Sequence, residues 1–352
     1  MKDYSQRITS SLWRQNPERD TIMETRALSD TLYDTYDIQK YIKVAMNEVD
    51  DKYTQKTLDA GERVKTHLQR EQTGVTYKYQ GSVMTKTHIR GYSDIDLLTI
   101  CDKFYSWDSY GVNKILDSAT EKQRFYQNQI DKLQYEKTLD SYKGDSLDDL
   151  RSIRLTNERI MQKTYDICDI TKPKAIMITN QDLHRDVDIV TACWYDDVQS
   201  IISGKGDFRG IQIYNKDNHS KESADFPFLS IKRINERGSA THGRIKKMIR
   251  FLKTLKADSN QDIKLSSFDI NAICYNISIT EYQSATYLQL VIVLYLEFNK
   301  ISTDSQYANE IISVDGREYI FNGKPDKYSE FKKLHIELLE IIKDLYTYKL
   351  IV

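Results

Sequence analysis

The chain has 352 residues, with 51 Lys and Arg against 52 Asp and Glu for a net charge of −1, and only 4 Pro and 13 Gly. That length accommodates two domains, and the shortage of Pro and Gly favours long helices over a loop-rich all-β fold. The balanced charge, with a pI of about 6.6, argues against a protein that grips long DNA or RNA by its backbone.

Four cysteines without a CxxC pair, and no His cluster at ligand spacing, argue against zinc. The N-terminus lacks the apolar core of a signal peptide, and no run reaches the roughly 18 apolar residues of a membrane span. The expectation is a cytoplasmic protein without a membrane partner.

In chain order, residues from about Ser29 to Gln72 read as one long helix. Ile38, Ile42, Ala45, Val49 and Tyr53 recur at helical spacing, and Leu58, Val64 and Leu68 extend the stripe to the break at Gly74. Val75 to Tyr79 alternates as a strand, and a turn follows at Gln80-Gly81-Ser82. After Gly91-Tyr92-Ser93 a second strand runs Asp94-Ile-Asp-Leu-Leu-Thr-Ile100. Asn113 to Gln162 is polar and helical, broken near Gly144-Asp145-Ser146. Two more strands are Ala175 to Ile178 and Asp186 to Val190, turned at Gln181-Asp182-Leu183-His184.

Residues 204 to 228, with three glycines and Pro227, read as an irregular passage between domains. Beyond it the pattern is helical: Gly243 to Lys256, Phe268 to Ile277 opened by Ser266-Ser267, the apolar Ala285 to Phe298, and Lys327 to Leu345. Ile312 to Ile320 reads as a hairpin turned at Asp315-Gly316. The fold class is α+β. Residues 1–215 form a core with a long N-terminal helix and a small mixed sheet, and residues 216–352 form a helical domain that closes the core's cleft.

The chemistry concentrates at Asp94-Ile95-Asp96. Residues two apart on a strand share a face, so both carboxylates project the same way from an otherwise apolar segment. Acids at the head of such a strand are costly unless something neutralises them. Asp188 sits in a like setting, Val187-Asp188-Ile189-Val190. Three carboxylates on neighbouring strands form a site for two hard cations such as Mg²⁺. Asp186 competes for the third place, but it follows His184-Arg185, where an exposed ion pair suffices to explain it. Asp188 is preferred because its neighbours are apolar. Gly81-Ser82, just ahead of the acids, suits a close approach of backbone N–H and hydroxyl to phosphate.

These residues together resemble the DNA polymerase β-like nucleotidyltransferase superfamily: Gly81-Ser82, Thr87-x-Ile89, Ser93-Asp94-Ile95-Asp96-Leu97 and Val187-Asp188-Ile189-Val190. Gly210-Ile211-Gln212-Ile213-Tyr214, Arg233-Ile234-Asn235, Ile249-Arg250-Phe251-Leu252-Lys253 and Leu265-Ser266-Ser267-Phe268 narrow the resemblance to the bacterial cGAS/DncV-like nucleotidyltransferases, the SMODS-type relatives of oligoadenylate synthetase.

The resemblance implies that Asp94, Asp96 and Asp188 hold two Mg²⁺ ions, with Mn²⁺ as a substitute. It implies that the Gln80-Gly81-Ser82 turn and Lys253 hold the triphosphate. Ser267 would touch phosphate, and Phe268 would stack on the base. Against these stand blander readings, a solvated helix face for Lys253 and core packing for Phe268. Lys86 departs from the family's pattern, which has Gly there, and Thr191 stands where Pro is frequent.

The implied activity is the joining of nucleoside triphosphates into a cyclic di- or trinucleotide messenger in anti-phage defence, read by a separate effector protein. A linear oligonucleotide synthetase, a tRNA-modifying nucleotidyltransferase and an inactive nucleotide-binding or antitoxin partner protein remain as alternatives.

Overall fold

The computed structural model describes residues 2–16, 36–91 and 94–351. Tyr92, Ser93 and the expected helix start from Ser29 to Thr35 lie outside the described residues.

Two helices, not one, carry the first apolar stripe. α1 (Tyr4–Gln15) precedes them, and α2 (Asp37–Met46) and α3 (Asp51–Glu71) are separated by Asn47 to Asp50. Asn47 turns extended, with ψ of 153°, and the Asp50 carboxylate accepts the Lys52 amide at 2.7 Å. Asn and Asp bond to nearby backbone more readily outside a helix than inside one, and so favour its ends. Ile38, Ile42, Ala45, Val49 and Tyr53 are nonetheless all buried. The periodicity located the core correctly but could not register the break.

Seven strands form one mixed sheet: β1 (Val75–Gln80), β2 (Ile95–Trp107), β3 (Cys168–Asp169), β4 (Ile176–Asn180), β5 (Arg185–Asp196), β6 (Gly210–Asn215) and β7 (Ser220–Lys221). The order is β1-β2-β5-β4-β3, with β6 on β5 and β7 on β6. β2 and β5 are parallel, and the other pairings are antiparallel. β6 and β7 correct the reading of 204–228 as irregular. Gly210 lies against Phe226, where a Cβ would meet the ring at 2.8 Å, so this glycine admits a close approach inside a strand.

Between β2 and β3 lie α4 (Ser109–Leu116), α5 (Ala119–Lys122), α6 (Gln127–Thr138) and α7 (Ser146–Thr164). α8 (Val198–Ile202) follows β5. The chain then continues through α9 (Pro227–Ala240), α10 (Arg244–Ala257), α11 (Ser267–Asn276), α12 (Ile279–Tyr282), α13 (Tyr287–Thr303), α14 (Ser305–Glu310) and α15 (Pro325–Thr347). The hairpin expected at 312–320 reduces to one bridge, Ile312 to Tyr319, around a turn with Gly316 at φ 79°.

The compact units are not consecutive in the chain. One comprises Met1–Thr54, Ser82–Ser93 and Arg233–Val352, and the other Gln55–Gly81 and Asp94–Lys232. The first is helical. α1, α2, α10, α11, α13 and α15 enclose a core that includes Tyr41, Phe251, Leu252, Leu294, Phe298 and Phe331. The second holds the sheet. On one face Leu98, Ile100, Val190, Ala192, Trp194, Ile211 and Phe228 pack together. On the other, the buried Asn157 of α7 donates to the hydroxyls of Thr99 at 2.9 Å and Thr191 at 3.2 Å. Among the described residues no helix is long and apolar enough to cross a membrane.

Candidate active site

The sheet unit places the acids as the strand pattern requires. Asp96 and Asp188 are register partners on the parallel pair β2 and β5, so their Cα atoms stand about 4.8 Å apart across the ladder. By alternation both continue the row of Leu98 and Ile100 and of Val190 and Ala192, at the end where that apolar face runs out. Asp94 lies just before β2 and is exposed. Burial drives the Asp96 carboxyl up to about 6, reinforced by the negative charges of Asp188 and Asp94 and opposed by Gln80 and Lys172. Three like charges at the end of an apolar face call for a cation.

One cation is already there. The Lys172 ammonium lies 3.2 Å from Asp188 Oδ1. A carboxylate pair on rigid strands, with an ammonium standing in on one member, fits hard divalent ions with oxygen ligands. Asp94, Asp96 and Asp188 are the residues that would hold them. Among the described residues no three His, Cys, Asp or Glu side chains are already gathered as a metal cluster; the close pair is Asp96 with Asp188.

Asp186 is bound differently from the ion pair expected for it. Its carboxylate accepts the Thr179 hydroxyl at 2.5 Å. Its neighbour Arg185 is buried, and donates to the Thr57 hydroxyl and to the carbonyls of Leu183 and His184.

The Gln80-Gly81 end of β1 is part of the same cluster. Gln80 pairs with Asp96 in register. Gly81 has φ 97°, and a Cβ there would lie 3.3 Å from the Asp96 carboxylate. The left-handed backbone favours glycine here, and its lack of a side chain leaves room beside Asp96.

In the helical unit a cleft of about 320 Å³ is lined by Ser82, His88, Arg90, Lys253, Lys256 and Ser267 among others. It gathers three of the residues singled out in the sequence: Ser82, Lys253 and Ser267. The 82–87 turn that carries Ser82 is closed by the Thr87 amide on the Ser82 carbonyl at 3.0 Å, and by the Thr85 hydroxyl on the same carbonyl at 3.1 Å. Lys86 adopts φ 53°, which is the left-handed conformation that explains glycine in the family's pattern. Arg250 holds the Lys86 carbonyl at 2.7 Å, and the Lys86 ammonium pairs with Asp51 at 3.0 Å.

Lys253 is not on a solvated face. It is buried in α10 and donates to the Thr87 carbonyl at 3.1 Å. Burial lowers its pKa to about 8, with Arg250 and Lys256 adding repulsion. Its neighbour Arg250 is 1% exposed and spans the Met46 carbonyl and Glu48, so Arg250 and Lys253 are internal while the other cations of α10 are not. Phe268 packs partly buried against the helical core, with Lys327 6.0 Å from its ring centroid. It does not line the cleft, whereas its neighbour Ser267 does.

Sequence reasoning passed over His88, Arg90, Lys256 and Lys172. His88 is buried, with Nε2 3.1 Å from the Thr54 hydroxyl. Burial and the charges of Lys253 and Arg250 lower its pKa to about 4, so it is neutral at physiological pH. The Thr87-x-Ile89 motif brackets His88, and that was its one signal.

Residues 232–343 match the cGAS/DncV-like nucleotidyltransferase C-terminal helical domain. A c-di-GMP synthase of Lachnospiraceae bacterium (strain RUG226) is 45% identical over 345 residues, covering 97% of this chain and 99% of that protein. The chain belongs to the cGAS/DncV-like nucleotidyltransferases.

Two solved members of this family superpose over nearly the whole chain. The STING-associated CdnE c-di-GMP synthase from Capnocytophaga granulosa has a TM-score of 0.81 at 45% identity, covering 99% of this chain and 100% of its own. The one from Flavobacteriaceae sp. has a TM-score of 0.88 at 36% identity, covering 99% of each. The protein is thus a nucleotidyltransferase, with an α+β core and a helical C-terminal domain, as its motifs imply.

Proposed function

We propose that this enzyme condenses two molecules of GTP into cyclic di-GMP, releasing two pyrophosphates, and that the product is a messenger in anti-phage defence read by a separate effector protein. The observation that carries the choice of product is full-length similarity, at 45% identity, to a protein named for c-di-GMP synthesis.

Asp94, Asp96 and Asp188 hold two Mg²⁺ ions, for which Mn²⁺ substitutes. Ions held there would supply a lowered pKa for the attacking ribose hydroxyl and charge for the leaving pyrophosphate. The chain's own contribution is alignment and fixed charge. β2 and β5 fix Asp96 and Asp188 in register. Asp188, the acid of β5, faces the acceptor hydroxyl. Gly81 leaves room beside Asp96. Ser82, Lys253 and Ser267 bind the polyphosphate tail of the donor, Lys253 with its ammonium and the two serines with their hydroxyls. Phe268, packed against the helical core and outside the cleft, has no part in these contacts.

The test uses purified protein with labelled GTP, ATP, CTP and UTP, singly and together, with Mg²⁺ or Mn²⁺. GTP alone should give one phosphatase-resistant species that co-migrates with cyclic di-GMP, and a chelator should abolish it. A phosphatase-sensitive product would establish a linear synthetase instead. A product requiring ATP or a pyrimidine nucleotide would refute the choice of base. No product in any mixture, matching an Asp94→Asn/Asp96→Asn control, would remove the activity.

A further inference from the structure

Lys172 is a half-exposed lysine held by a rigid mount. Its loop, between β3 and β4, is gripped from beneath by two cations. The buried Arg154 of α7 donates to the carbonyls of Ile170 at 3.2 Å and Lys172 at 3.0 Å. The Lys216 ammonium donates to the Ile170 carbonyl, and the Lys216 amide to that of Pro173 at 3.0 Å. Glu158 holds Arg154 in place at 2.7 Å. At the end of β3, Asp169 accepts both the amide and the hydroxyl of Thr171, at 2.8 and 2.6 Å. Pro173 confines Lys172 to extended backbone. A half-exposed surface residue needs no such support for solubility. What the mount does is aim one ammonium at Asp188 Oδ1, 3.2 Å away.

The geometry points to Lys172 as a tethered counter-cation: it neutralises and orients Asp188 in the ion-free enzyme and is exchanged off that carboxylate when a divalent ion binds. This rests on the reading of Asp188 as a metal ligand. Two facts support exchange over a permanent pair. The lysine side chain is 43% exposed, so the ammonium can move to solvent or to a phosphate without leaving a buried charge. An exposed pair of this kind is also weak, whereas a divalent ion between two carboxylates is not. Lys172 therefore acts through Asp188, as a positioning residue and a competitor of the metal.

The experiment measures Mn²⁺ binding to the nucleotide-free protein by isothermal titration calorimetry, a readout independent of turnover. Lys172→Met should bind Mn²⁺ roughly two- to fivefold more tightly than wild type. Lys172→Arg, which keeps the charge, should stay within about twofold. Ion-free melting temperatures establish that the variants are folded, and Lys172→Gln replaces the Met variant if that one is not. Unchanged or weaker binding in the folded uncharged variant would overturn the proposal, as would an Arg variant that tightens as the uncharged one does. Asp188→Asn is the separate arm. It should weaken binding, and if it leaves the affinity unchanged then Asp188 is no ligand and the metal reading itself fails.

Discussion

Asp96 shows how a single residue can trade stability for function. In an unfolded chain it titrates near 3.9. In the fold it is held up at about 6 by burial and by Asp188 and Asp94. Between these two values the folded protein binds the proton that the unfolded chain has lost, so stability falls as pH rises from about 4 to about 6 and stays lower above. Asp96→Asn removes the charge and keeps the shape. In chelator at pH 7, thermal unfolding should show the variant more stable by about 1–3 kcal/mol, with the gain vanishing below about pH 4. Cyclic dinucleotide synthesis should fall at least about a hundredfold in the same variant. Asp186→Asn is the contrast. Bound to Thr179, it should lose a fraction of stability and retain activity. Lys86 poses a simpler question, because its φ of 53° strains any residue with a Cβ. Lys86→Gly relieves that strain and loses only an exposed pair with Asp51, so melting should show a gain of about 0.5–1 kcal/mol. A drop would mean that the Asp51 pair outweighs the backbone.

At the scale of elements, α10 turns two of its cations, Arg250 and Lys253, inward. Lys253 is the informative member, with its pKa lowered to about 8 by burial. The unfolded lysine titrates near 10.4, so from about pH 8 to 10.4 the unfolded state binds more protons and stability rises with pH. Triphosphate binding runs the opposite way, because the ammonium is lost as pH climbs past 8. The KM for GTP should rise across that range, and Lys253→Met should raise it roughly ten- to a hundredfold at pH 7 while abolishing the pH dependence. A KM that ignores both would take Lys253 out of the nucleotide site. The same helix shows what sequence could and could not convey. The spacing of Ile245, Met248, Ile249, Leu252 and Leu255 located its buried face, all five being core residues, but hydropathy left Arg250 and Lys253 on the outside. They are inside because carbonyls of Met46, Lys86 and Thr87 receive them, and partners so distant in sequence carry no local signature. Strand alternation succeeded for Asp96 and Asp188 because two residues on a strand decide their own face. Lys172 escaped notice because its aim is set by Arg154 and Lys216, 62 residues from one another and in no common motif.

For the whole molecule, compactness ignores chain order. The linear reading divides near residue 215, whereas the helical unit takes in the first helix and the 82–93 segment along with everything after Arg233. α1 is therefore a core element of that unit. Tyr4 and Ile8 are buried in its hydrophobic core, Arg14 pairs with Asp258 at 2.6 Å, and the Arg14 carbonyl accepts the Gly91 amide at 2.6 Å. The last bond ties the helix to the segment that also carries Ser82, His88 and Arg90 of the cleft. Removing residues 1–16 exposes the surface that Tyr4 and Ile8 cover, at about 1.5–3 kcal/mol for each, and leaves Asp258 without its arginine. Denaturant melts of the truncated protein should show a loss of about 3–6 kcal/mol, and hydrogen exchange should show residues 82–91 opening first, since their anchor is gone. Ion binding offers the discriminating control. Asp96 and Asp188 belong to the sheet unit, so Mn²⁺ affinity of the folded truncation should match wild type while GTP binding weakens. Equal loss of both would show that the first helix supports the sheet as well, and that the two units do not answer separately to damage.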